Sequence, residues 1–200
     1  MGRKKERTDE ELLGIAYKVF LAEGPGVATS TIAKAAEVSQ ATLFKRFQTK
    51  RKLMILALAP ASQSNPVIEL LEELPDERPI PLQMVDIATT LYELMKEREP
   101  AIAVLKAAGI TMQECYEADE ESPMIRGPQM MLKWVEEARS KGLVCNNIAP
   151  MTFVMAFAGS VRNLAMGNIF VGEHTSEEFV AQQITQLVDL LWMGMSPSAN

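Results

Sequence analysis

Leu12, Ala16, Val19 and Phe20 recur at i, i+4, i+7, i+8 spacing with polar residues between them. That is the period of an amphipathic helix, expected over residues 9–23. Asp9, Glu10 and Glu11 fall in its first turn, where the helix dipole favours acids, and "EGPG" (23–26) stops it. Ile32, Ala33 and Ala36 share one face of a short second helix, about 30–37, which Thr29 or Ser30 can cap. Ser39 can cap a third helix, about 40–47, with Leu43 and Phe47 four apart. A fourth starts near Lys50 and carries Leu53, Ile55, Leu56 and Leu58. Pro60 and "SQSNP" (62–66) interrupt it, and "VIELLEEL" resumes either the same kinked helix or a new one.

Beyond the linker "PDERPIP" (75–81), helices are expected over 82–97, 100–113, 123–141, 150–170 and 175–194. Pro150 suits a first helical position, and Thr175 with Glu178 reads as a capping box. No run alternates with period two between turn signals, so the expected class is all-α.

Charge divides the chain. Residues 1–53 hold eleven Lys/Arg against six Asp/Glu, a net +5, whereas residues 54–200 hold nine against twenty, a net −11. Only the first part is therefore suited to a polyanion. Within it, helix two, a turn at Glu37-Val38-Ser39 and helix three form a helix-turn-helix. Neither short helix is stable alone, so both need the first and fourth helices as a platform. Val19, Phe20, Ile32, Val38, Leu43 and Phe47 can supply that core.

Once packed, helix three is expected to present Gln40, Ala41, Thr42, Lys45 and Arg46 outward. Glutamine can bond N6 and N7 of adenine, threonine and alanine can touch a thymine methyl, and Lys or Arg can read guanine or hold phosphate. Lys50 opens the next helix, where backbone N–H groups favour a phosphate. Arg3, Lys4, Lys5 and Arg7 form a basic arm of the kind that lies along phosphate or in a minor groove.

The segments "ELLGIAYKVFLAEG" (11–24), "TSTIAKAAEVSQATLFKRF" (29–47) and "TKRKL" (49–53) resemble the N-terminal pattern of TetR-type (tetracycline-repressor-like) transcriptional regulators. The resemblance covers about 55 residues. It implies a three-helix, helix-turn-helix DNA-binding domain (1–52) followed by a helical effector-binding and dimerisation domain (53–200). It further implies that Thr29 or Ser30, Ser39, Phe44, Lys45 and Lys50 touch the DNA backbone while Gln40, Ala41 and Thr42 face bases. Two positions depart from the pattern. Glu37 stands where the family usually has a turn glycine, and costs on the order of 1 kcal/mol if the turn needs φ > 0. Phe44 replaces the usual tyrosine, so a hydroxyl bond to phosphate is lost.

The same resemblance implies a homodimer through the last two helices, binding a palindromic operator, with an effector that biases the spacing of the two heads. The residues are compatible. Segment 152–170 is apolar nearly all round, and Ala156, Ala158, Gly159 and Ala165 allow close approach. Val180, Ile184, Leu187 and Leu191 form a stripe on the last helix, which an internal core would also use. Eleven of the thirteen methionines follow residue 54, and methionine adapts to irregular space. Met84, Tyr92, Met95, Met130, Met131, Trp134, Phe153 and Phe157 could line an apolar effector pocket, or be ordinary core. Arg162 and Asn163 could orient a ligand or cross-link the dimer.

Other classes fare worse. One histidine, two cysteines 30 residues apart, no phosphate-cradling loop and no GxSxG leave little from which to build an enzyme. His174 is expected in a surface loop, and "EADEE" (117–121) lacks the ligand pattern of a metal site, so neither cofactor nor metal is expected. The basic start runs into acids, and the run 148–161 is too short to span a bilayer. The expected place is the cytoplasm, with reduced Cys115 and Cys145. The remaining alternative is a DNA- or partner-binding protein of this fold with a non-inducible, architectural or activator role.

Overall fold

The computed structural model describes residues 7–59, 65–73, 75–118, 123–166 and 176–197. Ten helices occur among them and no strand: α1 Asp9–Glu23, α2 Thr29–Ala35, α3 Gln40–Phe47, α4 Lys50–Leu58, α5 Pro66–Glu73, α6 Ile80–Ala107, α7 Met112–Ala118, α8 Pro123–Ser140, α9 Pro150–Ala165 and α10 Glu177–Met195. They divide into two compact units, residues 1–63 with 100–125, and residues 64–99 with 126–200. The boundary expected at 52/53 falls inside α4, whose Leu53, Met54, Ile55, Ala57 and Leu58 are buried in the first unit's core.

That core joins one face from each helix of the unit. Leu12, Ala16 and Phe20 of α1 meet Ile32 and Ala33 of α2, Leu43 and Phe47 of α3, and the apolar face of α4. Ala101, Leu105 and Cys115 complete it. Helix α1 packs on α2 and α4, and α3 packs on both α2 and α4, so the two short helices are held as expected. Val19 and Val38 are only partly buried against this core.

Caps set the ends. Thr8 and Glu11 form a reciprocal capping box on α1. Gly24 stops α1 with φ 76° and ψ −175°, a region essentially reserved for glycine. Ser39 caps α3 by accepting from Thr42 N at 3.0 Å, as expected, and Thr49 does the same for α4 through Lys52 N. Two other caps differ. Helix α2 starts after Ala28, with no side-chain cap; Thr29 is already helical. Helix α10 is capped by Ser176, which accepts from Phe179 N, one residue beyond the expected Thr175–Glu178 box; Thr175 and His174 lie outside the described residues.

The expected break between 97 and 100 is absent. α6 runs 28 residues through Pro100. Proline removes one i→i−4 bond, and core contacts on either side of it, Leu91, Tyr92 and Leu94 before and Ala101 and Leu105 after, outweigh that loss. Residues 50–74 resolve as two helices, α4 and α5, with Asn65 capping the second through Val67 N at 3.1 Å.

The second unit has its own core from α5, α6, α8, α9 and α10. Gln83 is fully buried there, and its amide bonds Asp76 N, Asp76 O and Arg78 O. The linker before α6 is thereby tied to the helix it precedes. No described helix is long and apolar enough to cross a membrane.

Candidate nucleic-acid interface

The sequence of α3 separates two faces. Leu43 and Phe47 point into the first core, at 1% and 3% exposure. Gln40, Ala41, Phe44 and Lys45 are exposed on the other side. These four recur at i, i+1, i+4, i+5 and so form one stripe on the helix. Phe44, at 44%, is among the most exposed large apolar side chains of the unit. An aromatic ring left in water beside a lysine is a contact surface more than a core element.

Several expected residues are committed elsewhere. Thr42 is half-buried, and its hydroxyl pairs with that of Ser39 at 2.8 Å. Arg46 does not join the outward stripe. Its guanidinium donates to the carbonyl of Arg7 and to Asp9 Oδ1 at 3.0 Å, with 22% of the side chain exposed. The period of α3 turns position 46 toward the start of α1, which sequence spacing alone does not show. Arg7 in turn donates to Ala36 O, and its Nη2 lies 3.8 Å from the Glu37 carboxylate. Lys4, with Arg3 and Lys5, lies outside the described residues.

Glu37 adopts φ 55°, the left-handed conformation the turn demands. Its side chain is 69% exposed, which leaves a carboxylate beside the stripe of α3. Thr29 is half-buried and Ser30 exposed. Lys50 donates to Pro25 O at 2.7 Å, closing the loop between α1 and α2. An ammonium has three donors, so this bond leaves Lys50 two for an anion. Its position as the first residue of α4 keeps it beside the unbonded N–H groups of that helix.

A connection the sequence did not suggest braces the unit from behind. Arg51 pairs with Glu114 through both guanidinium and carboxylate arms and also donates to Ala108 O and Gly109 O. The Arg51 hydrogen bond, with the Thr111 backbone N–H, holds the Glu114 carboxyl down to about 2. Residues 51 and 114 lie 63 apart, and no local pattern pairs them. A cleft of about 460 Å³ lies nearby, lined by Pro25, Gly26, Lys50, Arg51, Met54, Ala107 and Ala108.

In the second unit, Met84, Tyr92, Met131, Trp134, Phe153 and Phe157 converge in one buried core, with Met95 and Met130 partly buried against it. The rings of Phe153 and Phe157 stack at 5.4 Å. Only Met130 and Trp134 of this set line a cavity of about 90 Å³, with Leu71, Glu72, Lys133 and Glu137. Arg162 and Asn163 are exposed, away from that core. Among the described residues no cluster of His, Cys, Asp and Glu is placed to hold a metal.

The Val180 and Ile184 pair of the α10 stripe faces the internal core, and Leu187 and Leu191 pack partly against it. A different set is left in water: Met151 and Met155 on α9, Leu190 and Met193 on α10. Their exposures run from 52% to 72%, too large for four apolar side chains on two packed helices to be incidental.

Residues 12–57 match the model of the family described as bacterial regulatory proteins, tetR family. No curated protein matches the chain in sequence. Solved structures match it over nearly its whole length. The flavonoid-responsive regulator FrrA superposes with a TM-score of 0.69 at 20% identity, covering 95% of this chain and 97% of the other. FadR from Bacillus subtilis, solved in complex with stearoyl-CoA, gives 0.68 at 14%, covering 94% and 99%. The fatty acid degradation regulator FadR from Bacillus halodurans gives 0.65 at 14%, covering 93% and 96%. At these identities the superpositions establish a shared fold.

Proposed function

We propose that this chain, whose head is that of the tetR family of bacterial regulatory proteins and whose whole length has the fold of TetR-family regulators, is a sequence-specific DNA-binding transcriptional regulator. It is a homodimer on a palindromic operator, a repressor released by a small, largely apolar effector. The observation that carries the reading is the outward stripe of Gln40, Ala41, Phe44 and Lys45 on a helix whose other face is locked in a core. Gln40 and Ala41 read base edges, Lys45 and Lys50 hold phosphates, and Ser39 and Ser30 add hydroxyls at the backbone. Phe44 contributes apolar contact. Arg46 positions the start of α1 and does not touch DNA.

Exposed Met151, Met155, Leu190 and Met193 support pairing of α9 and α10 with a second copy. Two copies add the contacts of two half-sites, which one short reading helix needs. The effector part is supported by the fold neighbours named above, one responsive to flavonoids and one bound to stearoyl-CoA. An effector releases DNA by binding the DNA-incompetent dimer more tightly, and DNA then weakens the effector by the same factor.

Selection of bound sequences from a random duplex pool, with Gln40→Ala beside the parent, tests the reading. The parent is expected to enrich a palindrome, and the variant to relax one base pair in each half-site. Binding whose logarithm does not fall with the logarithm of salt overturns the phosphate contacts. Salt-sensitive binding without a preferred sequence replaces the regulator with an architectural role.

A further inference from the structure

We propose that Arg46 is a positioning residue for DNA recognition. It acts through Arg7, which it latches to the helix-turn-helix so that the Arg7 guanidinium neutralises Glu37 in the turn. The proposal deepens the DNA-binding reading above and rests on it.

The latch joins segments far apart in sequence. From the last turn of α3, Arg46 donates to the Arg7 carbonyl and to Asp9 Oδ1 at 3.0 Å, which fixes the residues that enter α1. Arg7 then spans to the end of α2. Its Nε donates to the carbonyl of Ala36, the C-cap of α2, at 3.3 Å, and its Nη2 stands 3.8 Å from Glu37 Oε2. Residues 46, 7, 36 and 37 thus close a ring from α3, through the chain entering α1, to the turn that leads back into α3.

The ring answers an electrostatic problem. The turn cannot carry Glu37 away, because its backbone is held at φ 55° by Glu37 N to Lys34 O at 3.1 Å and Val38 N to Ala33 O at 3.0 Å. Gln40 follows three residues later, at most about 11 Å of extended chain. That is about one Debye length at 0.1 M salt, so a carboxylate there repels phosphate near the reading helix unless a cation is held against it.

An exposed ion pair is ordinarily weak, because two flexible side chains must be ordered to form it. Arg7 is already ordered, by Arg46 at its carbonyl and by Ala36 at its guanidinium, so less entropy is left to lose at Glu37. Without Arg46 the Arg7 guanidinium is no longer held in place against that carboxylate.

The test is a double-mutant cycle on the full chain, Arg46→Ala with Glu37→Gln, read as affinity for a labelled duplex. One duplex comes from the enriched pool, and an unselected duplex of equal length runs beside it, because charge repulsion does not depend on sequence. Arg46→Ala is expected to weaken binding about fourfold in the parent and about 1.3-fold beside Glu37→Gln, a coupling of about threefold, within the range of exposed ion pairs. In an Arg7→Gln background the coupling is expected to vanish. Loss of folded protein lowers affinity equally with and without the Glu37 change, so the coupling separates positioning from structural support. The salt slope is expected to hold in Arg46→Ala. A fall of about 0.9 means that Arg46 itself holds a phosphate and overturns the proposal. So does an absent coupling, or one that survives Arg7→Gln. Without DNA, trypsin reads the latch directly. Arg46→Ala is expected to speed the cut after Arg7 at least about threefold relative to the cut after Lys18, which lies inside α1 and is exposed only by unfolding; an unchanged ratio overturns the latch. A parent that binds DNA without the coupling keeps the regulator and loses the latch. A parent that binds neither duplex while the cut still responds to Arg46→Ala overturns the regulator, and the role of Arg46 in recognition with it.

Discussion

Glu37 holds φ at 55° in the turn between α2 and α3, where glycine has no Cβ to strain. Glu37→Gly relieves that strain at the cost of a freer unfolded chain, so a net stabilisation of up to about 1 kcal/mol is expected in thermal melts. It also removes a carboxylate, with its ion pair to Arg7, from the turn that leads into the proposed reading stripe. Operator affinity is therefore expected to rise, with most of the gain at low salt, and an unchanged affinity would show that the carboxylate points clear of the duplex. Glu114 makes a second prediction at this scale. Its folded carboxyl is held at about 2 by Arg51 and Thr111, below the roughly 4.3 of an unfolded glutamate. The stability it contributes is present above the unfolded value and is lost as pH falls from about 5 toward 2. Glu114→Gln is expected to flatten that part of the stability curve, measured by denaturant midpoint against pH, while leaving neutral-pH helix content unchanged. Because the Arg51 and Glu114 side chains are 46% and 30% exposed, water and salt reach the pair and the loss is modest.

The two faces of α3 make opposite predictions for two phenylalanines three residues apart. Phe47 is 3% exposed and Phe44 44%. Phe47→Ala opens a hole in the first core and is expected to cost about 3–5 kcal/mol in chemical denaturation. Phe44→Ala removes a ring already in water, so stability is expected to stay within about 0.5 kcal/mol while DNA affinity falls. Equal destabilisation by the two would mean that Phe44 belongs to the core. The cap is a gentler lever on the same element. Ser39 accepts from Thr42 N, and Ser39→Ala is expected to cost about 1 kcal/mol by fraying the end that carries Gln40 and Ala41.

For the whole molecule, the decisive feature is the apolar set on α9 and α10. Met155 is 69% and Met193 72% exposed, so replacing them should not disturb the protomer's own core. Met155→Glu combined with Met193→Glu is expected to give a folded monomer in sedimentation velocity. That monomer should bind DNA with about half the parent's salt slope, because one head neutralises half the phosphates. A variant that remains dimeric would move the interface to another face. The charge division fits the proposed function: in that reading the net +5 of residues 1–53 meets the polyanion, and the net −11 of the remainder disfavours contact outside the head.

The sequence by itself determined what depends on neighbours within a few turns. Helix α1 runs over the expected residues, α3 over its expected span, and Ser39 caps it, because periodicity and capping are local. The division of α3 into Leu43 and Phe47 inside, with Gln40, Ala41 and Lys45 outside, follows from the same period and from the family pattern of the head. Only the tertiary structure decided what depends on residues far apart in the chain. Arg46 turns from a groove-facing cation into a ligand of Arg7 and Asp9 because α1 starts beside it. Pro100 sits inside a helix because apolar contacts on either side of it outweigh one missing hydrogen bond. Val180 and Ile184 go inward while Leu190 and Met193 stay in water, a choice set by where α9 lies and not by the hydrophobicity of any of the four.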